Sequence, residues 1–118
     1  MATYSRGLLS GSTSGKPLPI SATSTPGTTV HTAVSGTSAF DEVYIWATNV
    51  TGSSATITIE WGGTTDPGDH LAKGLSIPAN SGPVLIASGE VLNNSVVVRA
   101  FSNTSNAINL VGYVNRIS

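Results

Sequence analysis

The sequence predicts an all-β chain, a single β-sandwich of jelly-roll or Greek-key type, with about seven to eight strands behind an extended N-terminal arm. Three observations carry this. Short runs rich in Val, Ile, Thr and aromatic residues alternate apolar with polar positions. No run keeps a helical 3.6-residue period. Clusters of Gly, Pro, Asn and Asp break these runs about every ten residues, as turns between strands do.

Residues 1–27 form the arm. They are rich in Ser, Thr, Gly and Pro, with Leu8, Leu9, Leu18 and Ile20 as isolated apolar points. Such a segment buries too little surface to order itself, so it is expected to be flexible or laid along another surface. The β-domain occupies residues 28–118. Its first run, 29–34, places Val30, Thr32 and Val34 on one face. In the next, 42–50, Val43, Ile45 and Ala47 oppose Tyr44, Trp46 and Val50, which predicts a central strand covered on both sides. Residues 55–61 alternate most cleanly, with Ala55, Ile57, Ile59 and Trp61 expected inside and Thr56, Thr58 and Glu60 outside.

Thr51-Gly52-Ser53-Ser54 reads as a hairpin connection, so 42–50 and 55–61 are expected to pair. Two turn regions follow, around Gly62 to Asp69 and around Ile77 to Pro83, before an apolar run at 84–87. Residues 96–101 and 107–117 predict a second hairpin through 102–106. In the last run Ile108, Leu110, Gly112 and Val114 share a face opposite Val111 and Tyr113. The expected core sets Ile57, Ile59 and Trp61 against Val96 or Val97 and Ile108 or Leu110.

Charge narrows the function classes. Charged residues make up 9% of the chain and the net charge is −1, whereas 17 Ser and 15 Thr supply hydroxyl polarity. No basic stripe is available for phosphates or an anionic membrane, so neither nucleic acid nor a membrane is an expected partner. A hydrophobic share of 39% is too high for a disordered chain of the charged kind. The absence of cysteine excludes disulfides and thiolate chemistry. The longest apolar runs fall far short of a bilayer span, and the N-terminus lacks the apolar stretch of a secretory leader, so synthesis and use in a cytosol are expected.

Catalytic chemistry finds little material. The histidines His31 and His70 stand in no metal-ligand spacing, and His31 lies within an alternating strand, as a hydrogen-bonded structural histidine does. Asp66-Pro67-Gly68-Asp69-His70 offers oxygen and nitrogen ligands within five residues, but it also has the composition of an ordinary turn. P-loop, dinucleotide and nucleophile-elbow patterns are missing. The expectation is a protein that is not an enzyme, with no cofactor and no metal. Tyr44 and Trp46 are the candidates for stacking on sugar rings.

A charge-poor, hydroxyl-rich β-domain with a Pro-punctuated arm has the composition of a subunit in a stable assembly. The stretches Thr28-Thr29-Val30-His31-Thr32-Ala33, Phe40-Asp41-Glu42-Val43-Tyr44-Ile45-Trp46-Ala47-Thr48-Asn49, Ile59-Glu60-Trp61-Gly62-Gly63, Val97-Val98-Arg99-Ala100-Phe101 and Gly112-Tyr113-Val114-Asn115-Arg116-Ile117 resemble small virion proteins of tailed bacteriophages. They are similar to those that act as capsid decoration, or cement, proteins. The resemblance implies a non-enzymatic homo-oligomer, commonly a trimer, on the outer capsid surface, partnered with the major capsid protein and assembled in the bacterial cytoplasm. On that reading Leu8, Leu9, Leu18 and Ile20 of the arm become candidate contacts with the capsid surface or with neighbouring subunits. A phage tail or head-fibre component, or a carbohydrate-binding β-sandwich module, is the alternative.

Overall fold

The computed structural model describes residues 3–118, and helix is absent from them. Nine strands follow in order: β1 (Tyr4–Leu8), β2 (Leu18–Pro19), β3 (Thr28–Thr32), β4 (Phe40–Asn49), β5 (Ala55–Trp61), β6 (His70–Ile77), β7 (Val84–Leu92), β8 (Val97–Ser102) and β9 (Ile108–Ile117). They form two antiparallel sheets. One has the order β1-β9-β4-β7, with β2 also on β9, and the other has the order β3-β8-β5-β6. Both contribute to one core, in which Val43, Ile45, Leu110 and Val114 of the first sheet meet Ile57, Ile59, Val98 and Ala100 of the second.

The alternation read from sequence places β4 correctly. It is central between β9 and β7, with Val43, Ile45 and Ala47 fully buried. Its other face is only partly covered, because Tyr44 and Trp46 stay half-buried. Neither expected hairpin forms. β4 and β5 lie in different sheets, and so do β8 and β9, so each connection crosses the core. The turn residues between them allow a crossing as readily as a reversal, and burial of both apolar faces favours alternation between sheets. Of the four candidates across the core, Ile108 and Leu110 are both inside, whereas Val96 and Val97 are only half-buried and Val98, which was not among them, takes the inward place on β8.

One strand, between the two expected turn regions, is not predicted by the sequence. β6 carries Lys73, Gly74 and Ser76 and is largely exposed, as an edge strand tolerates. It pairs with β5 through two register shifts.

The arm is part of the fold. β1 pairs with the C-terminal half of β9 from Tyr4↔Ile117 to Leu8↔Tyr113, and β2 continues along the same edge at Leu18↔Leu110. Leu9 and Ile20 are buried in this chain's own core, which removes them as contacts for another protein. Leu18 packs half-buried against that core, and of the four arm residues only Leu8 is exposed. The expectation of an arm laid along a surface is met by this domain's own sheet edge, because two apolar plugs and a free backbone edge repay the ordering entropy locally.

Two close approaches fix the first sheet. At Gly112 a Cβ would collide with the carbonyl oxygen of Tyr44, so only glycine lets β9 and β4 meet there. Gly89 holds φ +92° beside the shift in the β4–β7 register, between Val43 and Tyr44.

Candidate functional site

Of the polar side chains that the sequence singles out as chemically capable, His31, Asp41, Asp66, Asp69 and Glu60 are engaged in structural bonds, while the buried His70 Nδ1 has no hydrogen-bond partner and lies 3.6 Å from Asp66 Oδ1. A β-bulge between Thr29 and His31 turns two successive residues of β3 inward, so Val30 and His31 are both buried. His31 Nδ1 accepts the Ser10 backbone N–H at 3.0 Å. Its proton therefore sits on Nε2, 2.8 Å from Asp41 Oδ2, and is donated there. Register places Arg116 of β9 opposite Asp41 of β4, and the guanidinium donates to the carboxylate through Nε at 2.8 Å and Nη2 at 3.1 Å. The Val34 N–H adds a further donor at 3.1 Å.

Burial on its own raises the Asp41 pKa, but the hydrogen bonds from Arg116 and His31 outweigh it and hold the carboxyl below its ordinary value. The same carboxylate holds Arg116 in its charged form over a wider range. Ser10, His31 and Asp41 have the residue types of a hydrolytic triad without its arrangement. Ser10 presents its backbone N–H to the imidazole, while its hydroxyl accepts the Thr32 N–H at 2.7 Å. The set clasps the arm to β3 and β4.

A second clasp was read wrongly from sequence. Glu60, expected outside, is fully buried. Its carboxylate accepts the Thr25 hydroxyl at 2.6 Å and the Gly27 N–H at 2.7 Å, so the end of the arm covers the outer side of β5. Thr58, also expected outside, is buried and accepts the Gly74 N–H.

The Asp66 to His70 segment is a turn. Asp69 accepts the Thr65 N–H through Oδ2, and its carbonyl accepts the Trp61 N–H. Asp66 accepts the Lys73 ammonium at 2.7 Å, which draws its carboxyl below the usual value. Among the described residues no group of three His, Asp or Glu side chains is placed to hold a metal ion.

What remains is a surface. On the outer face of the first sheet, Arg6 and Leu8 of β1, Val111 and Tyr113 of β9, Tyr44 and Trp46 of β4, and Leu85 and Val91 of β7 lie together by register. Tyr4, Leu8, Leu85 and Val91, each at least 49% exposed, all belong to it. The Tyr44 and Tyr113 rings stack at 4.8 Å between centroids with 17° between planes. That distance equals the spacing of neighbouring strands, so the rings stand side by side and turn their faces toward adjacent strands. Arg6 Cζ lies 4.7 Å from the other face of Tyr113, and a Cβ at Gly89 would come within 3.3 Å of Tyr44 Cζ. A ladder of Arg6, Tyr113, Tyr44 and Gly89 thus crosses all four strands. Trp46 joins it at 6.1 Å from Tyr113.

Of the two sugar-stacking candidates, Tyr44 stacks one ring face on Tyr113, and Trp46 is flanked in register by Val111 and Leu85. Arg6, Tyr113, Leu85 and Val91 were not singled out from sequence. Tyr113, Leu85 and Val91 are apolar or aromatic residues on strands that also carry an inward apolar face, and Arg6 is a cation on an edge strand; they become one surface only once the strand order is known. The chain matches no protein-family model, no curated protein and no solved structure.

Proposed function

We propose that this chain is a non-enzymatic structural virion protein, an oligomeric cement protein that decorates the outer face of a phage capsid and contacts the major capsid protein. The observation that carries the proposal is the outer face of the first sheet, where exposed apolar and aromatic side chains gather on a domain with 9% charged residues. A face of this kind needs a covering partner, and a chain with so little charge is poorly protected from association without one.

The strand order supports a finer reading of the fold as a jelly roll. With β1 and β2 counted as two halves of one edge strand, the order β1/β2-β9-β4-β7 faces β3-β8-β5-β6 as two nested Greek keys. Jelly rolls serve both viral capsids and lectins, so fold alone does not choose between them. The stacking of Tyr44 on Tyr113 weighs against the carbohydrate-binding alternative.

The deciding experiment is co-sedimentation of the full chain with phage capsids stripped of their decoration, run beside a glycan array. Saturable binding to capsids together with a silent array supports the proposal. Glycan binding without capsid binding replaces it with the sugar-binding alternative, and failure of both refutes it.

A further inference from the structure

We propose that β1 is a replaceable strand. The edge of β9 that it covers, from Tyr113 to Ile117, binds an extended segment of another protein that carries an aliphatic side chain opposite Val114 and a hydrogen-bond acceptor opposite Arg116. The site exists whether or not the chain decorates a capsid.

β1 is held differently from the other strands. Thr3 and Ser118 exchange both backbone hydrogen bonds, at 2.7 and 3.0 Å, so the alternation of an antiparallel ladder makes Ser5↔Arg116 and Gly7↔Val114 the next bonded pairs. Val114 belongs to the core, and Ser5 and Gly7 therefore take the inward positions of β1. Neither is large enough to plug them. Among the described residues β1 is the one strand that contributes no side chain to the core, whereas even the two-residue β2 contributes Leu18. The first apolar plug of the arm is Leu9, just past the strand. Backbone bonds and the stack of Arg6 on Tyr113 hold β1, and ordering entropy opposes them. Residues 4–8 can leave while Leu9 stays seated.

The space beneath β1 selects its replacement. A cleft of about 160 Å³ opens among Ser5, Gly7, Leu8, Val114 and Arg116. A cavity of that order takes up a group the size of benzene, so a Val or Leu side chain has room. A Cβ on Gly7 would meet Val114 Cγ2 at 3.6 Å, an ordinary contact. At the other end of the cleft, Asp41 takes Nε and Nη2 of Arg116, which leaves Nη1 for an acceptor on the strand opposite. A segment with a polar residue followed two positions later by an aliphatic one buries apolar surface that β1, with Ser5 and then Gly7, leaves uncovered.

An incoming strand meets obstacles at the other edges. Along β3 the arm already bonds the backbone, through Gly11 N–H to the Val30 carbonyl and Thr32 N–H to Ser10 Oγ. On β7, Glu90 accepts the Ser88 N–H at 2.6 Å beside the left-handed Gly89. β6 is bent by two register shifts and a left-handed Gly74.

The test titrates the full chain into a fluorescein-labelled peptide copying residues 3–8 with Gly7→Val, read by fluorescence anisotropy beside the unsubstituted peptide. The substituted peptide should bind saturably and roughly tenfold or more tighter, since only it fills the cleft. In the full chain, Gly7→Val fills the same cleft from within, so it should raise Tm and weaken peptide binding roughly tenfold or more. Gly7→Ala should act in the same direction by less, and decides the matter if Gly7→Val does not fold. In native-state hydrogen exchange the Val114 amide, bonded to β1, should exchange roughly a hundredfold or more faster than amides bonded between β4 and β9. Four results each overturn the proposal: equal binding of the two peptides, binding of neither, peptide binding untouched by the Gly7 substitutions in the chain, or a Val114 amide as protected as those between β4 and β9.

Discussion

Replacing Asp41 by Asn tests the clasp on which the arm depends. The carboxylate is fully buried and receives four hydrogen bonds, from His31 Nε2, the Val34 N–H and two nitrogens of Arg116. An amide of the same shape turns one acceptor into a donor that faces donors. Breaking a buried pair in this way costs about 3–5 kcal/mol. Arg116 is 45% exposed and can rehydrate, so its share belongs with surface pairs and the low end, about 3 kcal/mol, applies. For a chain of 118 residues that is a fall in Tm of roughly 12 °C.

The pH dependence provides an independent check. The folded Asp41 pKa lies below its ordinary value, so pairing contributes stability that is fully present above the unfolded pKa of about 3.9 and is lost as pH falls through the folded value. Urea denaturation followed by tryptophan fluorescence should show a deficit in Asp41→Asn that is constant near neutrality and narrows below about pH 4. A deficit under about 1 kcal/mol, or one unchanged down to pH 2, would refute the reasoning.

The arm should behave as core at two points only: Leu9→Ala and Ile20→Ala each cost about 2–5 kcal/mol in denaturant titrations, while Leu8→Ala stays within about 0.5 kcal/mol. Glu60→Gln removes the charged acceptor for Gly27 and Thr25 and should cost about 1–3 kcal/mol, with faster proteolysis between residues 21 and 27 as its local signature. Gly112→Ala drives a methyl group into the Tyr44 carbonyl and should lower stability by about 1–3 kcal/mol, whereas Gly52→Ala, with open space around it, should melt like the parent.

The sequence by itself determined the class and much of the inside. Period-two alternation in β4, β5 and β9 assigned Ile45, Ile57, Ile59 and Leu110 to the core, because a strand's side chains alternate whatever strand lies beside it. It could not determine the neighbours. Backbone donors and acceptors are the same at every residue, so β4 could pair with β5 across a short turn or with β9 from the far end of the chain, and only burial of both sheets together decides. That decision also reversed the status of polar residues. Glu60 reads as outward because alternation puts it opposite Ile59, yet the returning arm covers it and supplies two donors. Leu9 and Ile20 look isolated in a Ser- and Gly-rich stretch, and become core only where the edge of β9 receives them. The outer face of the first sheet is likewise a tertiary product, since its residues come from four strands spread between Tyr4 and Tyr113 and gain a common surface only through register.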